Sequence, residues 1–152
     1  TINLNNVHYA SDSTSRAFTI KALASDKVVQ SVSGSNIIAT AGYTVSSAIT
    51  DIKTTLGVSS VTITKDGSSC ADTDKITTGM TVEAGSSTYV LVVKGDVDRD
   101  GSVTIADASV AMTALMGTGT ITDAGKSAAF ACSGKTSGSL NILDIMALLN
   151  NI

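Results

Sequence analysis

Gly95-Asp96-Val97-Asp98-Arg99-Asp100-Gly101-Ser102-Val103-Thr104-Ile105-Ala106-Asp107 is the stretch on which the reading of this chain turns. It spaces oxygen donors as a twelve-residue calcium loop does. Asp96, Asp98 and Asp100 fall at loop positions 1, 3 and 5, and Gly101 takes the sharp turn at 6. The Ser102 carbonyl and Thr104 follow at 7 and 9, and Asp107 closes the loop at 12. Calcium is a hard cation that takes six to eight oxygen ligands, whereas zinc or copper calls for imidazole or thiolate, so the pattern predicts one bound calcium.

What flanks the loop departs from a helix–loop–helix hand. The run Ser87 to Val93 that enters it is β-branched and apolar, which predicts a strand. Downstream, Ala108 to Met116 carries apolar residues at helical spacing and meets Gly117 as a helix stop. A second copy follows: Gly138-Ser139-Leu140-Asn141-Ile142-Leu143-Asp144 aligns with Gly101 to Asp107, and Ile145 to Leu149 continues as a helix. Counted back from Asp144, positions 1, 3 and 5 of this copy are Ser133, Lys135 and Ser137, so the second loop is expected to hold no calcium. Lys135 is expected either to fold back and supply the missing positive charge beside Asp144 or, as its surface position favours, to point into water.

A duplicated loop–helix unit of this kind resembles the dockerin family, over residues 95–152. The resemblance implies an extracellular bacterial module that binds a cohesin domain, docking its parent protein onto a scaffoldin or cell surface in a cellulosome-type, polysaccharide-degrading assembly. Family recognition positions carry over to Ile105, Ala106, Met112 and Thr113 in the first repeat and to Ile142, Leu143, Leu149 and Asn150 in the second. These are mostly apolar, so a mainly hydrophobic interface is implied. Among Val110, Met112, Leu115, Met116, Ile145, Met146, Leu148 and Leu149, at least about half are expected in the core.

Residues 1–94 are rich in hydroxyls and strand-like, and the composition changes near Lys94, where a domain boundary is placed. Thr44 to Gly57 has apolar residues at 45, 48, 49, 52 and 56 and predicts one amphipathic helix. Val28 to Val32, Asn36 to Thr40 and Ser59 to Thr64 predict strands, as do Val7 to Ala10 and Ala17 to Ala22. Met80 to Gly85 and Thr88 to Val93 predict a hairpin, and Lys65-Asp66-Gly67-Ser68 a tight turn. This region loosely resembles the X-modules that precede dockerins. The expected fold is therefore α+β: a mostly-β module with one helix, then an all-α pair of loop–helix repeats.

Several function classes are set aside. The ten Lys and Arg are outnumbered by thirteen Asp and Glu, which argues against nucleic acid as a partner. No run of about eighteen apolar residues predicts a membrane span. The amino terminus lacks the look of a signal peptide, and a mature fragment of a longer secreted protein is expected. Catalysis is not expected: the single histidine, His8, sits in a strand-like Val7-His8-Tyr9 context, and Glu83 with Asp51 would need a cleft to act as a carboxylate pair. Cys70 and Cys132 show no metal-binding spacing and fit either a disulfide or two buried thiols. The rival to a docking role is a calcium-stabilised structural or adhesion module without cohesin binding.

Overall fold

A computed structural model describes residues 27–152. The strands expected at Val7 to Ala10 and Ala17 to Ala22, and His8, lie outside these residues. Six strands, β1 (Val29–Ser33), β2 (Asn36–Ala39), β3 (Val61–Lys65), β4 (Ser68–Ser69), β5 (Thr81–Ala84) and β6 (Ser87–Val93), form one mixed sheet in the order β1-β2-β6-β5-β3-β4. β2 and β6 run parallel, and the other pairs are antiparallel. The helices are α1 (Val45–Leu56), α2 (Ile105–Leu115), α3 (Asp123–Ser133) and α4 (Ile142–Leu149).

β6 explains how the layers stack. Successive strand residues face opposite sides of a sheet, and here both sides are buried. Leu91 and Val93 enter one apolar cluster with Ile37, Ala39, Ala48 and Ile52, so α1 covers that face. Val92 enters a second cluster with Val97, Ala111, Ala128, Ile145 and Leu148, with Val90 and Ile38 packed against it. α2, α3 and α4 therefore share a core that rests on the opposite face of the same sheet.

This overturns the expected fold class. The described chain is a mixed six-stranded sheet carrying four helices, not a mostly-β module followed by an all-α pair of loop–helix repeats. Two features account for the difference. The apolar run Val90 to Val93 supplies side chains to both faces, so the helices complete their core on the sheet. The third helix, α3, went unread because its inward residues are mainly Ala128 and Ala129, too small to mark a strong apolar stripe.

Local chemistry sets the other elements. Thr44 N-caps α1, its side chain accepting from Ser47 N, and Gly57 ends the helix in the left-handed conformation. The Asp66-Gly67 turn has φ of 51° and 80°, the double positive φ of a type I′ hairpin, and joins β3 to β4. Of the eight helix residues expected to be at least half core, only Ile145 and Leu148 are fully buried. Val110 and Met112 are half-buried, and Leu115, Met116, Met146 and Leu149 are exposed.

Candidate metal centre and apolar groove

The first loop leaves the end of β6 and is tied at once to the sheet. Asp96, fully buried, accepts from Thr78 N at 2.7 Å and from Gly101 N at 3.1 Å. Thr78 in turn bonds both polar groups of Val93 through its hydroxyl. Asp107, also fully buried, accepts from Val97 N (2.7 Å) and Asp98 N (3.1 Å) through one oxygen and from Thr104 N (2.8 Å) through the other. Gly101 adopts φ 84°, and a Cβ there would stand 2.9 Å from the Ile76 carbonyl, so the turn at position 6 requires glycine on both counts.

These bonds bring one carboxylate oxygen from each of Asp96, Asp98 and Asp107 within 4.8 Å of one another. Burial pushes the Asp96 carboxyl above its ordinary pKa, against the pull of the Thr78 and Gly101 amides. Asp98, although exposed, is pushed up by partial desolvation within the loop and then by the Asp107 charge. Carboxylates crowded in this way resist ionising together unless a cation joins them. The donor set is all oxygen, which fits a hard cation such as calcium. Asp96, Asp98 and Asp107 would hold it, and the ion would supply charge neutralisation and loop order.

The remaining expected ligands are placed differently. Asp100 lies outside the cluster and accepts from Ser102 N at 2.7 Å. The Thr104 hydroxyl caps α2, accepting from Ala106 N at 3.2 Å, and Asp107 completes a capping box from the first turn. Ser102 is half-buried beside them.

The second loop is built otherwise. Asp144 is fully buried and accepts from Ser133 Oγ (2.6 Å), Lys135 Nζ (2.8 Å) and Asn141 N (2.9 Å). Lys135 also donates to the Ser139 carbonyl at 2.8 Å and lies 4.4 Å from the centre of the Phe130 ring. Of its two expected placements it takes the less favoured, folding back onto Asp144 instead of pointing into water: a fully buried carboxylate and a backbone carbonyl offer acceptors that outcompete solvation of the ammonium. Burial raises the Asp144 pKa, but the Lys135 and Ser133 bonds outweigh it, and the carboxyl sits below its ordinary value.

The residues expected to meet a partner divide into two groups. Ile105, Met112, Thr113 and Leu149 line an open groove of about 350 Å³ between α2 and α4, together with Ala108, Ser109 and Ile145. Ala106, Ile142, Leu143 and Asn150 are exposed but outside that lining, and the Asn150 backbone caps α4. Ile105, at 65% exposure, and Leu149, at 45%, leave the groove flanks open to solvent. Ser109 was missed by sequence reasoning, although it sits one helical turn from Ile105 and its hydroxyl returns to the Ile105 carbonyl.

Both cysteines are free thiols rather than a bridge. Cys70 packs against the α1-side cluster and Cys132 against the α2–α4 cluster. Burial pushes the Cys132 thiol up to about 11. Asp51 and Glu83 lie on opposite sides of the sheet. Asp51 accepts from Val29 N at 2.8 Å, and Glu83 alternates with Val82 and Ala84, which turn toward the α1-side core, so it projects from the other face.

No protein-family model, no curated protein and no solved structure matches this chain.

Proposed function

We propose that this chain is a non-catalytic, extracellular assembly module that binds a cohesin domain in a calcium-dependent manner and so docks its parent protein onto a scaffoldin or cell surface. One observation carries the reading. Asp107 is both the closing carboxylate of the first loop and the residue that completes the capping box of α2. A cation in that loop therefore fixes the start of the helix that presents Ile105 and Met112 to the groove. Calcium supplies the order, and the apolar groove between α2 and α4 supplies the contact.

The test is to titrate the protein against a panel of cohesin domains by calorimetry, with calcium and with a chelator. Binding to at least one cohesin, lost on chelation, supports the proposal. Ile105→Asp and Leu149→Asp should then weaken docking by at least about 2 kcal/mol each while leaving calcium uptake intact. The second reading, a calcium-stabilised structural or adhesion module, is favoured by the ties from the first loop to the sheet, Asp96 to Thr78 N and Arg99 Nε to the Thr78 carbonyl. A folded, calcium-loaded protein that binds no cohesin would select it.

A further inference from the structure

The second loop lacks the acids of a calcium loop, yet its closing half keeps the features of the first. Gly138 takes positive φ (108°) at position 6, as Gly101 does. Asn141 at position 9 caps α4 through a capping box closed by Asp144, as Thr104 and Asp107 cap α2. In a calcium loop the position-7 carbonyl and the position-12 carboxylate are both ligands of the ion. Here those two groups are the Ser139 carbonyl and the Asp144 carboxylate, and Lys135 Nζ stands 2.8 Å from each. The Phe130 ring face lies against the same ammonium, a further surface that attracts a cation.

We propose that Lys135 is the resident cation of the second loop: its ammonium does, permanently and from within the chain, what a bound calcium would do between positions 7 and 12. The opening half of the loop has been rebuilt to deliver it. Position 1 is Ser133, which donates to Asp144 instead of ligating, and α3 ends there with Gly134 turning the chain at φ 76° so that position 3 reaches back. The charge balances with one lysine and one aspartate. It follows that α4, which brings Ile145 and Leu149 to the groove, is set without metal, whereas α2 on the facing side begins in the loop that gathers three carboxylates. The groove thus has one wall that responds to metal and one that does not. This does not depend on whether a cohesin binds.

Hydrogen exchange on the full chain tests it, with calcium as the metal. The amides of Asn141 and Ile145 report on the second loop, and those of Val97 and Thr104 on the first. In the unmodified protein, chelation should leave second-loop exchange unchanged within about twofold. Lys135→Gln should speed the same amides by about tenfold, the equivalent of one charge-assisted hydrogen bond, with or without calcium. Phe130→Leu, a milder change, should speed them less, and keeps the proposal exposed to refutation if Lys135→Gln fails to fold. Second-loop amides that respond to chelation as strongly as to Lys135→Gln, or that ignore Lys135→Gln, would overturn it. Calcium-independent exchange in the first loop would instead sink the calcium-dependent function and the contrast between the two groove walls, and leave the role of Lys135 standing.

Discussion

The two loops reach the same end by opposite electrostatics. In each, a fully buried aspartate at position 12 accepts the amide of the residue at position 9 and starts a helix. In the first, that aspartate is surrounded by further acids and backbone amides, and its neighbours Asp96 and Asp98 hold their protons more tightly than usual. In the second, it is met by an ammonium and a hydroxyl, and it gives up its proton more easily than usual. The second loop thus keeps the shape of the first with one ammonium and one hydroxyl where the first gathers acids.

The largest effects should come from removing the closing aspartates. Asp107→Ala leaves three amides, those of Val97, Asp98 and Thr104, without their acceptor, and an unpaired buried donor costs about 1 to 3 kcal/mol. Urea unfolding should show a loss of at least about 3 kcal/mol. Asp144→Ala should cost somewhat less, about 2 kcal/mol, because the Lys135 side chain is 31% exposed and can turn to solvent. Equal losses would mean that the ammonium is as trapped as the amides. A loss under about 1 kcal/mol at Asp107 would break the comparison altogether.

Next in size is the metal increment. Calcium at a hundredfold excess over its dissociation constant should stabilise the protein by about 2.7 kcal/mol, all of it through the first loop. Asp98 is exposed, and among the described residues its carboxylate accepts only the nearby Asp100 amide, so Asp98→Asn should leave stability in chelator within about 0.5 kcal/mol of the parent. It should lower the calcium affinity and with it most of the increment. Thermal unfolding with calcium and with chelator reads both quantities. An increment unchanged by Asp98→Asn would move the ion away from the Asp96, Asp98 and Asp107 cluster.

Much of this was readable in the chain. The position of α1, the strands β1, β2, β3, β5 and β6, the Asp66-Gly67 turn and the three clustered acids all follow from periodicity, turn chemistry or ligand spacing. The starts of α2 and α4 were legible too, but Thr104-x-x-Asp107 was read for its ligands alone and Asn141-x-x-Asp144 only as the second copy of that stretch, neither as a capping box, so both helices begin three residues earlier than expected. What stayed hidden was tertiary. Parallel pairing of β2 with β6 cannot be seen in either strand alone, and it sets the middle of the sheet on which the helices pack. Which of its two possible directions Lys135 takes depended on Asp144 being fully buried, a property of the packed core and not of the loop.

A smaller contrast lies in pH. The folded pKa of Asp144 is below its unfolded value, so its contribution to stability is complete above about pH 3.9, the ordinary aspartate value, and is lost as pH falls through the lower folded value. With calcium chelated, the acid limb of the stability curve should therefore be steeper in the parent protein than in Asp144→Asn, once each is referred to its own neutral-pH stability. Lys135→Gln should flatten it in part, because the Lys135 bond is the strongest influence holding the pKa down. Acid limbs of the same slope in all three proteins would show that the second loop draws nothing from its ion pair.

The smallest net effect is expected at Arg99, where the loops differ in backbone. The first loop places a left-handed residue, Arg99 at φ 71°, at position 4, while the second places Gly134 at position 2. An L-residue held there costs about 1 kcal/mol relative to glycine. Its side chain returns a comparable amount. Arg99 Nε donates to the Thr78 carbonyl at 3.0 Å, and the guanidinium packs where a Cβ on Gly79 would stand 2.8 Å away. The 3.7 Å pair with Asp66 adds little, since the Asp66 side chain is 77% exposed. Arg99→Ala keeps the strained φ and loses the bond, and should cost about 1 kcal/mol. Arg99→Gly loses the bond but relieves the strain, and should fall within about 0.5 kcal/mol of the parent. Urea unfolding of the pair measures the difference. If Ala and Gly prove equal, position 4 carries no strain, and the contrast between the loops rests on their charges alone.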